Sequence, residues 1–209
     1  MNRPVPWWGL ASATAAPVLL VGGWTLAASL QGNGFDPVTG TISALAALDA
    51  DHRWVMTAAL VGTGLCHPVT ALALRDASTA GRLWHAAGGL ATVGVALFPV
   101  PGGGGESDAP LHVVTAAAAF GLLGSWPLVE RLARRRRDVP WGLGGLAVAG
   151  ASVLLLGTLG WFVAELSSDG DRVGLAERTA AASQAVWPLV VVSSTRLSRP
   201  RGRRPARRP

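Results

Sequence analysis

The chain has 209 residues, half of them hydrophobic and only 14% charged. A soluble domain carries about 25% charged side chains, so this composition excludes an ordinary water-facing surface and calls for one that faces lipid. The net charge of +6 is all arginine in origin and is concentrated beside apolar runs and in a Pro-rich tail, which excludes a folded nucleic-acid-binding module; the single cysteine, Cys66, excludes an intrachain disulfide.

After Arg3 no charge appears until Asp36, and Trp7 and Trp8 open this stretch at headgroup level. Residues 10–30 are long enough, at ~1.5 Å per residue, to cross a hydrocarbon core of roughly 30 Å. A cleavable signal peptide is the competing reading, with Ala27, Ala28 and Ser29 as a small-residue cleavage site. The apolar run exceeds the roughly 7–15 residues of such a signal and has one arginine before it, so an anchoring helix is expected. In the connection 31–53, Asp36 before Pro37 has the character of a helix N-cap. Residues 41–48 then suggest a short helix with Ile42, Leu45 and Leu48 on one side, too short to span and expected at or dipping into the outer interface.

Further spans are expected at 54–74, 83–101, 111–129, 141–164 and 175–195, in one domain covering 1–195. The third-to-fourth loop holds successive glycines, then Glu106 and Asp108. Between the fourth and fifth spans, residues 130–138 carry Arg131, Arg134, Arg135, Arg136 and Arg137. Such a loop is retained on the cytoplasmic side. Taking it as inside puts fifteen of the eighteen arginines on that face and leaves Arg53, Arg172 and Arg178 outside. Both termini are then cytoplasmic in a plasma membrane, and residues 196–209 form a disordered polybasic tail.

Ionisable groups in or beside spans are costly and therefore candidate sites. His112, Glu165, Glu177 and Arg178 all fall at the outer ends of spans, and Asp36, Ser43 and Asp108 belong to the adjoining outer loops. Their common depth suggests an outward-facing polar vestibule. There Arg178 would pair with Glu165 or receive an anionic headgroup, and His112 would act as ligand, acid or base. Individually, each is also what a solvated helix end contains.

His67 lies thirteen residues into the second span, beside Cys66 and before Pro68, and His85 enters the third from the other side. Two histidines on neighbouring helices raise haem or metal binding. Against it, there is no second cysteine for a covalent haem motif and no paired-histidine or acidic ligand set, so no cofactor is expected. The simpler role for His67 is donation to a carbonyl freed by Pro68. Gly142, Gly144 and Gly145, then Gly150, Gly157 and Gly160, suggest close packing along the fifth helix. Seven tryptophans, Trp126 among them, fall near span ends as an interfacial belt.

Thr41, Ile42, Ser43, Ala44 and Leu45, then Leu97, Phe98 and Pro99, His112 heading a helix, and Gly174, Leu175, Ala176, Glu177 and Arg178 followed by Trp187 resemble, in order and spacing, the bacterial membrane-protein family called domain of unknown function 998. The resemblance runs roughly from residue 10 to 195. It implies a six-helix integral membrane protein, with Ser43, His112 and Arg178 as its meaningful polar positions, and carries no established reaction. A likeness to alkaline-ceramidase-type hydrolases fails because the sixth helix has no histidine.

The expectation is therefore an all-α polytopic membrane protein, a six-transmembrane-helix bundle. Its partners would be membrane lipids and a small amphiphile held in the vestibule, with no nucleic acid. The rival is an interfacial hydrolase with His112 as base and Ser43 as nucleophile; a haem- or metal-binding bundle through His67 and His85 is the third reading.

Overall fold

The computed structural model describes residues 5–32, 34–102, 109–134 and 139–198. Arg135, Arg136, Arg137, Asp108 and the tail beyond 198 lie outside the described residues. Among the described residues there are six α-helices: α1 Trp7–Ser29, α2 Trp54–Ala73, α3 Thr79–Leu97, α4 Pro110–Ala133, α5 Gly145–Ser167 and α6 Val173–Leu197. They form a ring in which each packs on its sequence neighbour and α6 closes on α1. The starts of α2, α4 and α6 share one end of the ring, here the His112 end. The starts of α1, α3 and α5 share the other, the arginine end.

Helix boundaries follow local chemistry. α3 begins earlier than residue 83 because Ser78 caps it, its Oγ accepting the Gly81 N–H at 3.0 Å. It ends at Leu97 because Pro99 disfavours helical backbone at Phe98. α4 starts on Pro110, whose missing N–H costs nothing in a first turn. It runs past residue 129 to Ala133 and carries Glu130 into the interior, where it is fully buried. The Glu130 carboxylate accepts the Ser78 hydroxyl at 2.7 Å and the Ser78 N–H at 2.9 Å, and pairs with Arg134 at 2.9 Å. Arg134 in turn donates to the Leu143 carbonyl. One carboxylate thus joins the α2–α3 turn, α4 and the 3₁₀ turn Trp141–Leu143.

Close helix contacts are made by glycines other than those of α5. A Cβ on Gly89 would stand 2.5 Å from the Gly64 carbonyl oxygen and from His67 Cβ, so α2 and α3 touch backbone to backbone. Between α1 and α2, Gly23 leaves room for the Ala59 methyl group. A Cβ at Gly150, Gly157 or Gly160 would meet nothing within 4 Å. The close packing expected of the fifth span is met only at its start, where Gly142 approaches Ser194 and Val191 of α6; further along, α5 buries only Val148, Ala151, Leu155 and Phe162 and turns Gly150, Gly157 and Gly160 outward.

Trp7, Trp54 and Trp141 are exposed on the outside of the ring, as a belt requires, but Trp126 is 1% exposed and belongs to the core. Residues 41–48, expected as a short helix at or dipping into the interface, turn inward. Only Ala44–Ala46 form a 3₁₀ turn, and Ile42, Ser43, Leu45, Ala46 and Ala47 are all buried. The apolar side of this segment plugs the His112 end of the ring.

Candidate functional site

The plug positions Ser43. On its α6 side, Glu177 Oε2 accepts the Ile42 N–H at 2.5 Å and Oε1 lies 3.4 Å from the Ser43 hydroxyl. On its α3 side, Leu48 N–H donates to the Val100 carbonyl at 3.0 Å. From α4, His112 reaches in with Nε2 3.1 Å from Ser43 Oγ and Nδ1 2.9 Å from the Phe98 carbonyl. Ser43, His112 and Glu177 are each less than a tenth exposed.

The Phe98 carbonyl can only accept, so Nδ1 carries a hydrogen. In the neutral ring Nε2 then presents its lone pair to Ser43, whose single proton has two acceptors, Nε2 and the more distant Glu177. Should the imidazole gain a second proton, Nε2 donates to Ser43 Oγ and the hydroxyl proton swings to Glu177. The serine is a pivot between a base and a carboxylate. Phe98 acquires its role because Pro99 ends α3 one residue after it, leaving that carbonyl outside the helix ladder.

Arg178 neither pairs with Glu165 nor faces an open mouth. Its Nη1 donates to the carbonyls of Pro37, Gly40 and Gly174 at 2.8, 2.6 and 3.0 Å, and its guanidinium lies 5.8 Å from the Phe35 ring centroid. It staples the first long loop to α6. Glu165 sits apart, accepting the Trp161 indole N–H and the Arg172 backbone N–H, both at 3.0 Å. Asp36 is exposed and caps a turn by accepting the Val38 N–H at 2.9 Å; it does not start a helix. Of the vestibule residues expected, three converge, Arg178 supports them, and Glu165 and Asp36 belong to loop ends.

Two cavities meet at the cluster, and Ser43, Glu177, Ala116 and Phe120 line both. One, of about 230 Å³, lies between α4 and α5, with the exposed side chains of Val113, Val163 and Leu166 at its outward side. The other, of about 60 Å³, runs down the ring interior past Thr63, Thr92 and Gln184 to His67. Gln184 escaped notice in the sequence although it shares a helical face with Glu177, seven residues earlier. A polar residue in mid-span was the available signal.

His67 does not pair with a carbonyl freed by Pro68. Its ring meets His85 edge to face at 4.8 Å between centroids, and His85 stacks on Trp126 at 4.5 Å. That spacing leaves no slot between the imidazoles for a haem plane, whose two axial histidines stand roughly 6 Å apart for metal–nitrogen bonds of about 2 Å. Among the described residues no group of three or more His, Cys, Asp or Glu is placed to hold a metal ion.

A ring of apolar helices enclosing a few buried polar groups defines a multi-spanning helical membrane protein. Among the described residues four helices (α1, α2, α4 and α5) are long and apolar enough to cross a bilayer; the buried charged or imidazole groups stand on α2 (His67), α3 (His85), α4 (His112 and Glu130) and α6 (Glu177 and Arg178). The chain belongs to the family described as protein of unknown function DUF998, which matches residues 14–194. No curated protein and no solved structure matches it.

Proposed function

We propose that this protein binds an amphiphile from the bilayer, with the polar head at Ser43, His112 and Glu177 and the tail in the cavity between α4 and α5. The observation that carries this reading is the meeting of an apolar, side-opening cavity with a buried cluster offering a hydroxyl, an imidazole and a carboxylate. Ligand sites combine largely apolar walls with a few convergent polar groups. The arginine distribution assigns the His112 end to the outer leaflet, so the ligand would be drawn from there.

Native mass spectrometry of the purified protein tests the reading. Gly121 lines the cavity, and a Cβ there meets nothing within 4 Å, so Gly121→Leu would fill the tail space without touching the cluster. Lipid co-purifying with wild type should be lost in Gly121→Leu and in the Ser43→Ala, His112→Ala double variant. Equal retention by all three would remove the site.

One contact favours a second reading, an interfacial hydrolase. Ser43 Oγ lies 3.1 Å from His112 Nε2, within the reach that nucleophile and base require, and Nδ1 is held by Phe98. Glu177 weighs against it, since a carboxylate beside Oγ opposes the negative charge of an acyl-transfer intermediate. A fluorophosphonate probe that labels wild type but neither Ser43→Ala nor His112→Ala would establish this chemistry, and no labelling would leave binding as the function.

A further inference from the structure

The binding reading leaves the inner cavity, His67, His85 and Trp126 unused, and they form a connected series. At ~1.5 Å per residue, Glu177 lies roughly 6 Å below the start of α6 and His67 roughly 20 Å below the start of α2. The inner cavity bridges these depths and is lined by Glu177 and Ser43 at one end and His67 at the other, with Thr63, Thr92 and Gln184 between. Thr63 and Thr92 donate to the carbonyls of Ala16 and Gly88, and the Gln184 amide N–H donates to Phe120. The Gln184 carbonyl and the threonine lone pairs remain as acceptors. A cavity of about 60 Å³ has room for roughly four waters at 10–15 Å³ each; its walls are mostly apolar, so such waters would rest on these acceptors and on the Ser43 and Glu177 oxygens at its end. Beyond His67, both ring nitrogens of His85 are buried and have no hydrogen-bond partner, as has Trp126 Nε1.

We infer that the bundle holds a proton-binding site at the His67–His85 pair, reached from the Ser43–His112–Glu177 cluster through a short water file and closed on its far side by Trp126. A buried, unpaired imidazole costs free energy that an apolar side chain of the same size would not. Chains of Glu and His within membrane spans mark proton relays. The transfer balances at each step. A proton from the water phase reaches His112 or Glu177, moves to a cavity water as that water gives up one of its own, and arrives on a free His67 nitrogen. His67 then shares it with His85, whose cationic form gains from the face of Trp126. The titratable or charged groups facing the cavity or the pair are His67 from α2, His85 from α3, His112 from α4 and Glu177 from α6, with Arg178 beside Glu177. α1 contributes Leu20 and no titratable group.

The full chain, labelled with ¹⁵N-histidine and reconstituted in phosphatidylcholine vesicles, provides the test by solid-state NMR. Assignments come from His52→Gln, His112→Gln and His85→Phe. As pH falls from 8 to 3, His67 and His85 should take up one proton between them, and His85→Phe should abolish the shared signal while the protein keeps its thermal midpoint within a few degrees. Exchange of the pair with D₂O should slow about tenfold in Gln184→Leu, which dries the file. Two rings that stay neutral throughout in wild type would overturn the inference. So would exchange unaffected by Gln184→Leu, because solvent would then arrive by another route. Neither result bears on lipid retention, which is measured separately.

Discussion

Ser43 and His112, sixty-nine positions apart, meet at 3.1 Å with the imidazole's other nitrogen already committed to the Phe98 carbonyl. The tautomer that faces the serine is therefore set by where α3 stops. Displacing Phe98 would change the chemistry at Ser43 without altering either residue. Pro99→Ala lifts the restriction on the Phe98 backbone, and helical dihedrals there would turn its carbonyl along the helix axis and away from His112 Nδ1. Lipid retention should fall in Pro99→Ala as far as in His112→Ala, read by native mass spectrometry; retention at the wild-type level would show that the carbonyl does not hold the ring.

Arg178 occupies three carbonyls from one nitrogen. Arg178→Ala should lower stability by about 3–5 kcal/mol, the range for removing one side of a buried charged network. Arg178→Lys should recover only part of this, because the ammonium, on a shorter side chain, does not also lay a planar group over the Phe35 ring. Thermal midpoints in detergent read both, and a lysine variant as stable as wild type would contradict the stapling role.

Glu130 receives Ser78 and Arg134 in the interior of the arginine end. Replacing Glu130 with Gln keeps its volume but removes the charge opposite Arg134, and the midpoint should drop by several degrees, in line with a loss of about 3 kcal/mol. Removing Arg134 as well should cost little more, since both changes break one pair. Additive losses would show the two residues to be independent.

The two classes of glycine make opposite predictions. Gly89→Ala pushes a methyl group against the Gly64 carbonyl and His67, and overpacking of this kind costs about 1–3 kcal/mol. Gly157→Ala meets open space, and the higher helix propensity of alanine should leave stability unchanged or raise it by roughly 0.5–1 kcal/mol. A destabilised Gly157→Ala would reveal a contact that the isolated chain does not make.

Orientation is checked by placing cysteine at the exposed Arg75 and Thr39 in a Cys66→Ser background and labelling intact cells with a reagent that cannot cross the bilayer. Modification at 39 and protection at 75 is the expected pattern. The reverse would turn the candidate site toward the cytosol.

The all-helical class was legible because uncharged runs of sufficient length leave the backbone few alternatives in lipid. Ser43 and His112 were legible as candidates through their depth and the family pattern, and Glu177 through depth alone. Their contact was not, since it depends on an inward turn of residues 41–48 that a short amphipathic pattern does not distinguish from lying flat. Arg178 was read as a ligand group because cations at span ends usually face water. Its three carbonyl partners come from loop backbone, which leaves no trace in residue type. Glu130 was hidden by its arginine neighbours: a charge-dense segment suggests solvent, and only the helix extending to Ala133 turns that carboxylate inward. Trp126 and the α5 glycines mislead for a related reason, because residue type alone does not tell which side of a helix faces lipid.

The staple through Arg178 also fixes the order in which the molecule can mature. Pro37 and Gly40 leave the ribosome more than 130 residues ahead of the guanidinium that secures them. Until α6 is threaded into the bilayer, the segment bearing Ser43 lacks both Arg178 and Glu177. Synthesis must run nearly to the end before the Ser43–His112–Glu177 cluster can assemble, and a chain interrupted after α5 would be inserted without it.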